Sequence, residues 1–180
     1  QGEIALCILS AVNVGQLNDL SELENICDLS VRALEQIIDY QDYPVKAAEV
    51  STKTRRSLGI GYIGLAHYLA KNGVKYSDPK AWELVDRLSE AFQYHLLRAS
   101  CDLAEEKGKC AGFERTKYAD GLLPIDHYKK EVDDIVPHKQ RMAWESLRKD
   151  IAKHGLRHST LSAQMPSESS SVVSNETNGI

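Results

Sequence analysis

The apolar positions of this chain change period as it proceeds. Residues 3–14 form a nearly unbroken apolar run between Gly2 and Gly15, the pattern of a short buried strand near a sheet centre. Beyond it, Leu23, Ile26, Cys27, Ala33, Leu34, Ile37 and Ile38 recur at helical spacing. They follow Ser21-Glu22-Leu23-Glu24, which matches a capping box, so a helix is predicted to about Tyr40, stopped by Pro44. Residues 46–56 lose the apolar period, carry Lys46, Lys53, Arg55 and Arg56, and read as a solvated polar connector. The longest helix opens at Asp78-Pro79, a cap followed by an N1 proline. Ala81, Trp82, Val85, Leu88, Phe92, Leu96, Ala99 and Leu103 trace its apolar face until Gly108 closes it. Pro124-Ile-Asp126 opens a short helix to about Ile135, with Asp126 as its cap and Pro137 as its end. Trp144, Leu147 and Ile151 outline another, up to Gly155.

The tail is the least helix-like part. A short extended segment, residues 160–165, runs into Pro166, then Ser167-Glu-Ser-Ser-Ser171, then a helix start near Val172. Strand, small polar loop and helix start together present backbone N–H groups and hydroxyls to an anion. The same residues also fit a flexible serine-rich turn.

Composition narrows the classes. A chain of 180 residues supports one domain with a real core, and 42% hydrophobic with 27% charged residues is ordinary for a globular protein. A formal net charge of −4 gives no electrostatic reason to expect nucleic acid. No apolar run approaches the ~18 residues of a membrane span and no signal segment opens the chain, so no membrane role and a cytoplasmic location are expected. The four cysteines lack C-x-x-C spacing and are read as reduced thiols, with Cys27, Cys101 and Cys110 as small core residues. The chain opens on Gln1 rather than Met and reads as a piece of a longer one.

Few motifs carry chemistry. Gly59, Gly61 and Gly64 make a literal G-x-G-x-x-G. The polar residues before Leu58 are not the apolar strand of a dinucleotide-binding unit, however, and close packing of a helix or strand end explains the glycines better. His154 and His158 stand four apart without a third ligand nearby in sequence, so no metal site is expected. No nucleophile elbow, zinc-protease motif or P-loop occurs. Cys7, by itself, is more readily a core residue of an apolar strand than a reactive thiol.

Several stretches taken together go further. Gly2-Glu-Ile-Ala-Leu-Cys7, Asp39-Tyr-Gln-Asp-Tyr-Pro44, Arg56-Ser-Leu-Gly-Ile-Gly61, Leu123-Pro-Ile-Asp126, His154-Gly-Leu-Arg157, Ser159-Thr-Leu-Ser-Ala163 and Met165-Pro-Ser-Glu-Ser-Ser170 occur in order along the whole chain. In them the chain closely resembles the large, catalytic subunit of class I ribonucleoside-diphosphate reductases. The resemblance implies an α/β fold: a mostly helical segment of a ten-stranded α/β barrel with a few short strands. It implies that Cys7 is one of two cysteines oxidised as the ribose 2′-hydroxyl is replaced by hydrogen. It also implies that Pro166, Ser167, Glu168, Ser169 and Ser170 hold the substrate diphosphate, with Ser169 standing where relatives often carry threonine. The Glu168 side chain is expected to point away from the anion while its N–H makes the contact. Leu9, two residues after Cys7 and on the same strand face, is a weaker candidate for lining the nucleotide site.

The family's thiyl-radical cysteine, the partner of Cys7, the radical-path tyrosines and the C-terminal cysteine pair have no counterpart here. The resemblance therefore implies no cofactor in this chain, a radical supplied by a small metal-containing subunit, and thioredoxin or glutaredoxin as reductant. The remainder of the large subunit and a ribonucleoside diphosphate complete the expected partners, and the 180 residues alone are expected to be inactive. A non-catalytic helical module that binds another protein, and a dinucleotide-binding oxidoreductase domain built on Gly59 to Gly64, are the alternatives. The position of Cys7 relative to the tail separates the first reading from the helical module.

Overall fold

The early apolar run and the later glycine-rich run pair with each other. In the computed structural model, which describes residues 2–135 and 139–180, β1 (Ile8–Asn13) and β2 (Leu58–Ile63) are parallel, with Leu9 opposite Gly59 and Ala11 opposite Gly61. A parallel pair needs a long crossover. It is made by α1 (Glu22–Tyr40) and α2 (Lys46–Arg55). The tail then lies along the other edge of β2: Ser162 bridges Ile60 in the parallel sense, and the Leu58 and Ile60 amides donate to Thr160 and Leu161 carbonyls at 3.0 and 2.8 Å. With chain on both sides, all of β2 is buried. β1 is shorter than its apolar run and only partly buried, because it is an edge among the described residues.

Pairing fixes which side chains share a face. Leu58, Ile60 and Tyr62 turn toward α1 and α4 (Pro79–Lys107), where they join Leu23, Cys27 and Val31 of α1 and Leu88, Phe92 and Leu96 of α4 in one core. Tyr62 meets Phe92 edge-on at 5.4 Å, and its hydroxyl lies 3.2 Å from Ser89 Oγ. α3 (Leu65–Lys71) follows β2 through Gly64, whose φ of 82° suits glycine. α5 (Trp144–His154) packs on α4 and ends at Gly155, φ 75°. The segment leading into α5 is held by Glu90, which is 8% exposed and accepts the Arg141 and Met142 amides and the Trp144 indole N–H at 2.7, 3.1 and 3.0 Å.

Several expectations are corrected. Residues 46–55 are a helix: Glu49 accepts Lys46 and Lys53 at 2.8 Å each, the one-turn spacing that supports a polar helix. Arg56 ends α2 in the left-handed region, φ 48°, and points inward with 5% exposure. The buried face of α1 is rotated from the predicted one, with Val31 and Glu35 inside while Ala33 and Ile37 are exposed. Ser21 caps nothing. It already has helical φ and ψ, and Glu22 instead accepts the Asn18 and Asp19 amides at 3.1 Å. Trp82 is 46% exposed rather than core. The helix expected over 124–135 is two separate 3-10 turns, Pro124–Asp126 and Lys130–Asp134, and Asp126 is drawn to the Leu123 amide and Arg148. Pro137 lies outside the described residues. The serine-rich tail is helical from the start: α6 is Glu168–Val173, not a later helix near Val172.

The dinucleotide reading fails on geometry. Gly59 and Gly61 sit inside β2, so they form no turn that could wrap a pyrophosphate beyond the strand's end. His154 and His158 face different partners, Glu105 and Glu35. Among the described residues no helix is long and apolar enough to cross a membrane.

Candidate active-site face

The face of the sheet turned away from the helices carries the candidate chemistry. Cys7 immediately precedes β1 and is exposed, and Leu9 is 48% exposed. Opposite them β2 has only hydrogen atoms at Gly59 and Gly61, which makes a floor without side chains. A Cβ on Gly59 would stand 2.6 Å from Leu9 Cδ2, 3.3 Å from Ala163 Cβ and 3.8 Å from Cys7 Sγ. On Gly61 it would stand 2.3 Å from the Ala163 carbonyl oxygen and 2.6 Å from Met165 Sδ. Cys7, Leu9 and the first part of the tail are thus gathered over these two glycines, away from the outer helices.

The other thiols differ in environment. Cys27, Cys101 and Cys110 are buried; burial pushes the Cys27 thiol up to about 12 and Cys101 to about 11, and raises Cys110 as well. They are poor nucleophiles at neutral pH, whereas Cys7 is open to a reaction partner.

The predicted anion residues lie just beyond Met165. The first helical bond of α6 runs from the Ser171 amide to the Ser167 carbonyl at 2.8 Å, so the Glu168, Ser169 and Ser170 amides precede the hydrogen-bond ladder. Glu168, Ser169 and Ser170 are exposed, as is Pro166. Ser167 behaves differently: it is 4% exposed and its hydroxyl donates to Asn178 Oδ1 at 2.5 Å, which leaves it as a brace of the loop. Ser171 is likewise turned inward, bonding the Glu168 carbonyl at 2.8 Å.

Charged groups that no sequence motif announces hold this face in place. Glu35, with a 1% exposed side chain, accepts from Arg56 Nε at 2.8 Å, Arg157 Nε at 2.8 Å and His158 Nε2 at 3.0 Å. Burial would raise its carboxyl, but the hydrogen bonds from His158, Arg56 and Arg157 outweigh it and hold the group at about 2. His158 is fully buried and lowered by that burial. Its neutral ring donates from Nε2 to Glu35 and accepts the Ser100 hydroxyl at Nδ1, 2.9 Å away, a tautomer set by these partners. Arg56 also pairs with Asp39 at 2.7 Å. This network ties α1 to the residues just before β2 and just before the tail strand. No group of three or more His, Cys, Asp or Glu side chains among the described residues is arranged to hold a metal ion.

Comparison with known proteins agrees over the full length. A family model described as "Ribonucleotide reductase, barrel domain" matches residues 1–180. The chain is 59% identical over 179 residues to the ribonucleoside-diphosphate reductase subunit alpha of Haemophilus influenzae, covering 99% of this chain and 24% of that protein. It is 56% identical over 143 residues to ribonucleoside-diphosphate reductase 1 subunit alpha of Escherichia coli, 79% of this chain and 19% of that protein. To the subunit alpha of phage T4 it is 45% identical over 179 residues. The chain thus matches about a quarter of the first relative quoted and about a fifth of the second, 24% and 19% of their lengths. With every element described here inside the match, the chain belongs to the ribonucleotide reductase family and falls within its barrel domain.

Proposed function

We propose that this chain is the part of a ribonucleoside-diphosphate reductase large subunit that supplies one redox cysteine, Cys7, and the substrate-diphosphate segment, Pro166 to Ser170. The observation that carries this reading is the gathering of exposed Cys7, Leu9 and Ala163 over the bare floor of Gly59, opposite the helices. That face is the inside of a ten-stranded barrel, whose other strands belong to the rest of the subunit. The ribose C2′–O bond breaks, the hydroxyl leaves as water, hydrogen takes its place, and Cys7 with a second cysteine from the remaining subunit becomes a disulfide. Two thiols supply the two electrons and two hydrogens that this requires. An external dithiol protein of the thioredoxin or glutaredoxin class then restores the pair by exchange. The starting radical comes from a small metal-containing subunit. The cytoplasm, where free thiols stay reduced, is its compartment.

The diphosphate is held by amides at the start of α6 and by the Ser169 and Ser170 hydroxyls, with Leu9 alongside the nucleotide. Amides and hydroxyls satisfy phosphate oxygens without a large positive charge. Glu168 contributes its N–H while its exposed carboxylate stays in water.

Two variants of the full-length enzyme test this. Cys7→Ser keeps substrate binding and stops multiple turnover; sustained turnover removes Cys7 from the redox pair. Ser169→Ala with Ser170→Ala weakens substrate affinity by about 1–3 kcal/mol, and unchanged affinity rules out the diphosphate role. The 180 residues alone, given the small subunit and reductant, produce no deoxyribonucleotide.

A further inference from the structure

The residues after α6 fold back onto the ends of the strands, and one carboxylate does most of the fastening. The Glu176 amide donates to the Ser171 carbonyl at 2.9 Å, and the Gly64 amide donates to the Thr177 carbonyl at 3.0 Å. Glu176's side chain is 3% exposed. Its Oε2 accepts from His67 Nδ1 at 2.9 Å and Gln16 Nε2 at 3.5 Å, while Oε1 accepts the Thr177 amide at 2.9 Å.

The slot that buries this carboxylate is made by two glycines. Gly15 follows β1 and Gly64 follows β2. A Cβ on Gly15 would stand 2.5 Å from Glu176 Oε2 and 2.8 Å from His67 Nδ1, and one on Gly64 would stand 2.8 Å from Glu176 Cγ. Side chains at either position would expel Glu176. The turn after β1 is itself anchored to α3, since Lys71 Nζ donates to the Gly15 and Leu17 carbonyls at 3.0 and 2.9 Å. Asn13 adds a buried Oδ1 close to Gly64 that has no hydrogen-bond partner among the described residues. Burial would raise the Glu176 carboxyl, but the hydrogen bonds from His67 and the Thr177 amide hold it below its ordinary value, so it sits in the slot as an anion.

We infer that Glu176 and His67 are positioning residues for substrate: their pair, seated between Gly15 and Gly64, fixes where α6 stands relative to the two strands that carry Cys7 and its glycine floor. This rests on the proposed diphosphate role of α6. A six-residue helix has little stability of its own, so its placement comes from such tertiary contacts. If the pair is broken, α6 keeps its sequence but its amides and hydroxyls lose their fixed distance from Cys7. The pair acts through α6, so the loss falls on binding of the diphosphate.

The test uses the full-length large subunit with its small subunit. Glu176→Gln keeps the volume and removes the charge; His67→Phe removes the donor from a side chain that is 40% exposed. Each raises KM for the nucleoside diphosphate about fivefold to twentyfold and changes kcat less than about twofold. The double variant is no more than about twofold worse than the worse single, because both remove one interaction. Glu176→Asp, which keeps the charge, retains more affinity than Glu176→Gln. Unchanged KM in both singles, a fall in kcat at constant KM, or singles whose effects multiply would overturn the inference. If Glu176→Gln does not fold, His67→Phe with Glu176→Asp carries the same readout. Ser169→Ala with Ser170→Ala separates the two proposals. If that pair weakens binding while the Glu176 and His67 variants do not, the clamp is wrong and the diphosphate reading stands; if it too is silent, both fall.

Discussion

The two faces of the small parallel sheet are built from the same strands and end in opposite chemical states. Toward α1 and α4, Leu58 and Ile60 are sealed in an apolar core together with the thiols of Cys27 and Cys101. Away from the helices, glycines replace large side chains, Leu9 is half in water, and Cys7 is exposed. The alternation of a strand puts neighbours in sequence into these two environments, so residue type alone does not say which cysteine can react. Burial decides that, because it withholds the thiolate from three of the four.

The comparison can be broken at several points. Alkylation of the native protein modifies Cys7 about a thousandfold faster than Cys27, read by mass spectrometry of timed digests; equal rates would erase the distinction between the faces. On the closed side, Glu35→Ala strands Arg56 and Arg157 without their shared anion and costs about 3–5 kcal/mol in denaturant unfolding. Ile60→Ala, at a fully buried position, costs about 2–4 kcal/mol by the same measurement. Acid sharpens the contrast. His158 and Glu35 are both lowered in the folded state, so the unfolded chain binds more protons, and stability falls as pH drops below 6.5 for His158 and from 4.5 toward about 2 for Glu35. Thermal melts across that range should show the loss, and Glu35→Gln should remove its lower part. The smallest effect belongs to the open side: Leu9→Ala changes stability by less than about 1 kcal/mol, and a larger loss would mean that this face is packed after all.

Legibility followed the source of each element's stability. α1, α4 and α5 were readable because their apolar positions repeat at helical spacing, and β1 because it lies in a short apolar run bounded by glycines. α2 was missed because it has little apolar face, although Glu49 four residues before Lys53 was a helix signal in plain view. α6 was misplaced because serines are indifferent helix formers and this short helix depends on its return segment. On the candidate face, Cys7 and the tail were identified by resemblance to a family rather than by pattern. The glycines were read as close packing, and Ala163 and Met165 are the neighbours that require it. Glu35, Glu90 and Glu176 left no trace in sequence. A buried carboxylate is permitted only by donors brought from remote positions, and local spacing carries none of that information.

The Glu35 network also sets an order of events for the newly made chain. Its donors stand 21, 122 and 123 positions away, at Arg56, Arg157 and His158. While the chain is being synthesised, α1 emerges long before the last two exist, and its buried face contains an acid that apolar neighbours alone cannot accommodate. The helix can form early and finds Arg56 before α4 is made, but two of the three donors to Glu35 come only with the segment carrying Arg157 and His158. Contacts of such long range delay the rate-limiting step and couple the two ends of this unit in a single transition. A chain that stops short of residue 157 therefore leaves Glu35 with Arg56 in place but without Arg157 and His158, two of the three donors that hold its carboxylate.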